Sequence, residues 1–199
     1  MVTAGTVEVP GWPRSTQQPG DALRDIFTRM GAAVRVVSGR LVLTGPREIL
    51  PLDMDLHDVG ELVPTVAAVA AFATGTSALR NIGQLRGHET DRLNAITTEL
   101  NRLGGKAWVE GDDLFVEPTI LHGARLETYE DHRMATFAAV IGLRVPGVDV
   151  VDIETTSKTL PQFPQMWADL VAGEASVRAL PQEIPLSSQL PATGTDGDL

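Results

Sequence analysis

Leu100-Asn101-Arg102-Leu103-Gly104-Gly105 closes a helical stretch and leads to Val109 and then Asp112-Asp113-Leu114; Phe27-Thr28-Arg29-Met30-Gly31-Ala32 does the same before Val34 and Gly39-Arg40-Leu41. In both, a helix ends at a glycine suited to a C-terminal stop, and two short apolar runs then flank a turn. A second echo pairs Thr65-Val66-Ala67-Ala68-Val69 with Thr136-Phe137-Ala138-Ala139-Val140. These helices are apolar on nearly every side and should be buried. A helix–strand–helix–hairpin unit of roughly 65 to 75 residues therefore recurs, and such units must stack to cover their apolar faces. The fold class this predicts is α/β, built of repeated units around buried helices.

Outward from the repeat, Thr6–Val9 reads as a strand, Asp21–Met30 as a helix, and Val34–Val37 with Leu41–Leu43 as a hairpin. Leu52–Leu56 alternates apolar and acidic like a half-exposed strand, and His57–Glu61 is a loop. Pro64 suits the first turn of a helix reaching Ala73. Ser77–Ile82 and Val148–Ile153 read as strands, Glu154–Thr159 as a polar turn, and Pro164–Ala172 as a short helix. Past Arg178 periodicity is lost among prolines and small polar residues, so residues 1–177 form the predicted folded unit and 178–199 a flexible tail.

Composition narrows the function. A chain of 199 residues that is 43% hydrophobic and carries a net charge of −10 is an ordinary globular protein, and that charge argues against nucleic-acid binding. The longest apolar run, Val63 to Ala73, is too short to span a bilayer, and Met1-Val2-Thr3-Ala4-Gly5 carries no signal-peptide pattern. A cytoplasmic protein without membrane contact is expected. The absence of cysteine excludes disulfides and thiolate metal sites, and nothing in the sequence calls for a metal or a cofactor.

Chemistry concentrates in two short motifs. In Arg86-Gly87-His88-Glu89-Thr90-Asp91-Arg92-Leu93, Thr90 can cap a helix whose buried stripe is Leu93, Ile96, Leu100 and Leu103. Arg92 then sits in the first turn, where the dipole costs a cation up to about 1 kcal/mol unless an anion is beside it. Glu130-Asp131-His132-Arg133-Met134 repeats the arrangement, with Asp131 as N-cap and Arg133 two places inside the helix. Taken singly, either arginine is as well explained by solvation or by its neighbouring aspartate. Two together suit one shared anion, because helix-start amides and guanidinium forks both favour phosphate and carboxylate.

The chain resembles the C-terminal lobe of the EPSP synthase family over about Gly5 to Ala172. The resemblance rests on Asp53-Met54-Asp55, Leu79-Arg80-Asn81-Ile82, His88-Glu89-Thr90-Asp91-Arg92-Leu93, Asp131-His132-Arg133-Met134-Ala135 and Thr156-Ser157-Lys158-Thr159-Leu160-Pro161. It implies one lobe of the enolpyruvyl transferase fold, an inverse α/β barrel-like stack of repeats. It also implies transfer of the enolpyruvyl group of phosphoenolpyruvate to the 5-hydroxyl of shikimate 3-phosphate, with release of phosphate.

Carried over residue by residue, the resemblance gives Arg92, Arg133 and Lys158 to the carboxylate and phosphate of phosphoenolpyruvate, with His132 beside them. Glu89 handles protons at the methylene carbon. Glu61 stands where the family commonly has the Asp that takes the proton of the attacking hydroxyl, and His88 stands where many members have a Lys facing shikimate 3-phosphate. Family members are roughly twice this length, and their other, N-terminal lobe supplies the remaining grip on shikimate 3-phosphate. The expectation is a phosphoenolpyruvate-side half that needs that lobe, and the alternative is a non-catalytic remnant that keeps the fold as a small-anion-binding module. The sibling transferase acting on UDP-N-acetylglucosamine fits less well, because that branch lacks the pairing of the Glu-Thr-Asp-Arg and Asp-His-Arg-Met motifs.

Overall fold

The repeat is present as three partial copies in the computed structural model, which describes residues 1–173. The first begins with strand β1 (Thr6–Pro10), passes a 3-10 turn (Pro19–Ala22) into helix α1 (Leu23–Arg29), and ends in the hairpin of β2 (Ala33–Val37) and β3 (Arg40–Thr44). Ser38 and Gly39, at φ 50° and 73°, make the two-residue turn whose left-handed backbone matches the twist of the flanking strands.

The second copy is the fullest: β4 (Asp53–Asp55), α2 (Val63–Ala70), β5 (Ser77–Arg80), α3 (Arg92–Arg102) and the hairpin β6 (Lys106–Glu110) and β7 (Asp113–Glu117). The third supplies β8 (Arg125–Leu126), α4 (His132–Gly142), β9 (Asp149–Val150) and α5 (Phe163–Ala172). Pairing repeats with the units. β5 lies antiparallel to β7 as β1 does to β3, and β4 lies parallel to β5 as β8 does to β9. The sheets are β1-β3-β2, β4-β5-β7-β6 and β8-β9.

At the centre α2 packs on α4. Ala67, Ala68 and Ala138 let the helices approach, and Val66, Phe137 and Ile141 fill the space between layers, all fully buried. Truncating Phe137 to alanine would cost about 3–5 kcal/mol by loss of transfer energy and the cavity left behind. Arg80 clamps three strands, donating through Nε and Nη2 to Asp53 (2.6 Å each) and through Nη1 to Asp113 (2.9 Å), while Asn81 Nδ2 donates to Asp55 (3.2 Å). The Asp-Met-Asp and Leu-Arg-Asn-Ile motifs are thus a cross-strand lock.

Several boundaries move. The strand expected over Val148–Ile153 is confined to Asp149–Val150, because Asp152 turns left-handed (φ 52°) and Ile153–Lys158 winds into a 3-10 helix instead of an open turn. The helix expected to reach Ala73 stops at Ala70, and Ala73 bridges to Ile49. The expected tail, 178–199, and the boundary at 177 lie outside the described residues. Among the described residues no helix is long and apolar enough to cross a membrane.

Candidate active site

One buried carboxylate joins the two cationic motifs. Asp131, fully buried, caps α4 by accepting the amide of Arg133 at 2.8 Å. The same side chain accepts Nε of Arg92 at 2.7 Å and Nη2 at 3.3 Å. The anion that offsets the misplaced Arg92 therefore belongs to the other motif, and it ties the start of α3 to the start of α4. Burial pushes the Asp131 carboxyl up, yet the bonds from Arg92 and the Arg133 amide, with the charge of Arg92, outweigh it and hold the group below the usual carboxylate range. Thr90 does not cap α3, contrary to the sequence expectation. Asp91 does, accepting the amide of Asn94 at 3.1 Å, which puts Arg92 at the first helical position.

The other expected residues gather around this joint. Arg133 donates through Nη2 to Glu61 Oε2 at 2.7 Å and through Nη1 to the Glu61 carbonyl at 3.0 Å. Lys158, at the end of the 3-10 helix, donates Nζ to the carbonyl of Glu130 at 2.9 Å. His132 Nδ1 lies 3.3 Å from Glu89 Oε2 but out of alignment for a hydrogen bond, so this buried nitrogen has no partner. His88 Nδ1 lies 3.3 Å from Arg92 Nη1. Arg86 turns elsewhere, to Asp112 and the carbonyl of Gly111 on the β6–β7 turn, so it is not part of the cationic group.

Exposure divides the cations. Arg92 is 3% exposed, whereas the Arg133 side chain is 31% exposed and its Glu61 partner 50%. An open depression of about 270 Å³, below the usual range for drug-sized ligands, is lined by His132, Arg133, Thr136, Thr156 and Thr159. Glu89, Asp131 and His132 bring one donor atom each within 4.8 Å of one another, the spacing of a metal trio. Both Asp131 oxygens already serve Arg92 and the Arg133 amide, which leaves a cation only Glu89 and His132.

A support not foreseen from the sequence lies beneath. Glu99, fully buried on α3, accepts the hydroxyl of Tyr129 at 2.6 Å and the amide of Glu127 at 3.2 Å. Burial, then the bond to Glu99 and its charge, push the Tyr129 phenol up to about 12. Tyr129 and Glu130 both sit at φ 55°, a left-handed turn that aims the Glu130 carbonyl at Lys158 and delivers Asp131 to Arg92. The available signal was position: Glu99 falls on the same helical face as Ile96 and Leu103, where an acid needs buried partners.

A family profile described as EPSP synthase (3-phosphoshikimate 1-carboxyvinyltransferase) matches residues 1–167. The chain belongs to the EPSP synthase family. The 3-phosphoshikimate 1-carboxyvinyltransferase of Kocuria rhizophila is 57% identical over 174 residues, which is 87% of this chain and 39% of that protein. An EPSP synthase from Acinetobacter baumannii superposes with a TM-score of 0.71 at 22% identity, covering 83% of this chain and 41% of the other. The enolpyruvyl transferase NikO from Streptomyces tendae gives 0.58 at 20% identity, over 76% and 34%. These likenesses establish an α/β fold corresponding to one lobe of the enolpyruvyl transferases, and the chain spans about two fifths of the relative from Kocuria.

Proposed function

We propose that this chain supplies the phosphoenolpyruvate side of an enolpyruvyl transferase acting on shikimate 3-phosphate. The observation that carries the reading is Asp131 joining the two helix starts, which gathers Arg92, Arg133, Glu61, Glu89, His132 and Lys158 around one rim. Phosphoenolpyruvate brings up to three negative charges, and a rim with two arginines and a lysine offsets them. Arg133 and Lys158 are the exposed donors. Arg92 is committed to Asp131 through Nε and Nη2, and its remaining Nη1 edge lies 3.3 Å from His88 Nδ1, which must turn aside for Arg92 to meet the ligand.

In the proposed reaction the 5-hydroxyl oxygen bonds to C2 of phosphoenolpyruvate, its proton passes to Glu61, and the methylene carbon takes a proton from Glu89. The tetrahedral adduct then returns a proton from that methyl group and expels phosphate, restoring the enol ether. Glu61 must release Arg133 to face the hydroxyl, and His132, with a free buried nitrogen, steadies Glu89. His88 faces the phosphate of shikimate 3-phosphate. The remaining contacts come from the N-terminal lobe, in cis or in trans. No cofactor takes part.

Phosphate release from both substrates is the test, with and without the separately expressed N-terminal portion of the Kocuria relative. Turnover is expected only with the added portion, and Glu89→Gln should lower it by about 10²–10⁴-fold, the usual share of a positioned acid–base group. Substantial turnover by this chain alone would refute its dependence on another lobe. Binding of phosphoenolpyruvate without turnover, even with the added portion, would favour a non-catalytic anion-binding remnant.

A further inference from the structure

Glu99 is a fully buried acid that the proposed reaction does not use. It lies seven residues beyond Arg92 on α3, two turns along the same face. From that face α3 grips every second residue of the segment 125–131. Arg102 Nη1 donates to the Arg125 carbonyl at 3.1 Å, the Glu127 amide and the Tyr129 hydroxyl donate to Glu99, and Asp131 accepts Arg92. Arg102 Nη2, 3.5 Å from Glu99 Oε1, offsets the charge of the acid. The segment needs such a grip. Residues 128–131 close a turn through the bond of the Asp131 amide to the Thr128 carbonyl at 2.9 Å, and both central positions, Tyr129 and Glu130, are left-handed. Glycine, asparagine and aspartate take that conformation readily, whereas tyrosine and glutamate hold it only where surrounding contacts impose it.

We propose that Glu99 and Tyr129 are positioning residues for the anion site: their hydrogen bond holds the left-handed turn, and the turn sets the Glu130 carbonyl on which Lys158 Nζ rests. Lys158 comes from a separate element, the 3-10 helix Ile153–Lys158, and the Glu130 carbonyl, 2.9 Å away, directs its ammonium to the rim. The neighbouring pair of Arg92 and Asp131 is joined by two charged hydrogen bonds that do not depend on the Tyr129 hydroxyl, so loosening the turn acts first on Lys158. Naming Lys158 as a ligand donor rests on the reading of this chain as the phosphoenolpyruvate side of a transferase. The position of its ammonium does not.

The chain has two lysines, Lys106 and Lys158, so reductive methylation with isotope-labelled formaldehyde gives each its own NMR signal, and Lys106, paired with Glu117 on the β6–β7 hairpin, is the internal control. Lys158→Arg assigns the signals. In the intact chain the Lys158 methyl signal should be displaced from that of free dimethyl-lysine. Tyr129→Phe or Glu99→Met should return it more than halfway while Lys106 stays. Inorganic phosphate should then bind about two- to fivefold more weakly, the worth of one exposed ionic contact. Adding Glu130→Asn to Tyr129→Phe should restore the original signal, because asparagine favours the left-handed turn unaided. A Lys158 signal at the free-lysine position in the unaltered chain, or one that stays in place in both single variants, overturns the proposal. So does a signal that moves together with that of Lys106, or one that fails to return in the double variant. A displaced Lys158 signal with unchanged phosphate affinity supports the clamp and removes Lys158 from the anion site, so the two readings fail separately.

Discussion

Arg92 and Arg133 look alike in sequence, each a cation in the first turn of a helix behind a capping aspartate, but the fold gives them opposite surroundings. Arg92 is buried and locked to Asp131, whereas Arg133 is partly exposed and held by the half-exposed carboxylate of Glu61. The repeat has used one motif to fasten two units together and the other to present charge. Position within a motif therefore does not assign a role; the partner does.

Removing each guanidinium in turn is the sharpest way to break the comparison. Arg92→Met should cost about 3–5 kcal/mol in urea unfolding, because it strands a buried carboxylate. Arg133→Met should change stability by less than about 1 kcal/mol, as exposed pairs do. Equal losses would mean that both arginines are structural.

A smaller effect comes from freeing the exposed cation. Glu61→Gln leaves Arg133 without its internal counter-charge, so the isolated chain should bind inorganic phosphate up to about fivefold more tightly, the worth of an exposed pair. Titration calorimetry that found weaker binding, or none, would remove Arg133 from the anion site.

The smallest expected effects are at the extremes of pH. The folded Asp131 carboxyl titrates below its unfolded value of about 3.9, so its contribution is complete above that value and is lost as pH falls through the folded one. Asp131→Asn should flatten this acid limb in unfolding measurements, against a lower plateau. Tyr129 is shifted the other way, to about 12, so its contribution is complete below the unfolded value of about 10 and is lost as pH rises through the folded one. Tyr129→Phe should remove that alkaline limb. An acid limb unchanged in Asp131→Asn would mean that another carboxylate governs it.

Much of the architecture was legible because the repeat states it twice. The helix–glycine–hairpin echo located α1, β2 and β3 and again α3, β6 and β7, and uniform apolarity marked α2 and α4 as central. Short elements read less well: β8 and β9 are two residues each, defined by pairing across a distance rather than by any local pattern. At the site, Asp131 was legible as a cap but its second partner was not, since 39 residues separate it from Arg92. Thr90 and Asp91 are both good caps, and only the backbone path chose between them. Glu99 carried a warning in its helical phase, but nothing local could tell that Tyr129 and the Glu127 amide would satisfy it.

The double duty of Asp131 also bears on timing. With both helix starts pinned by one side chain, the cationic rim is preorganised, and a ligand loses little affinity to ordering it. What must give way is the carboxylate of Glu61, and an exposed side chain changes rotamer in picoseconds to nanoseconds. On the proposed reading, an anion's access to Arg133 therefore waits on a single rotamer of Glu61, a faster event than the motion of a loop.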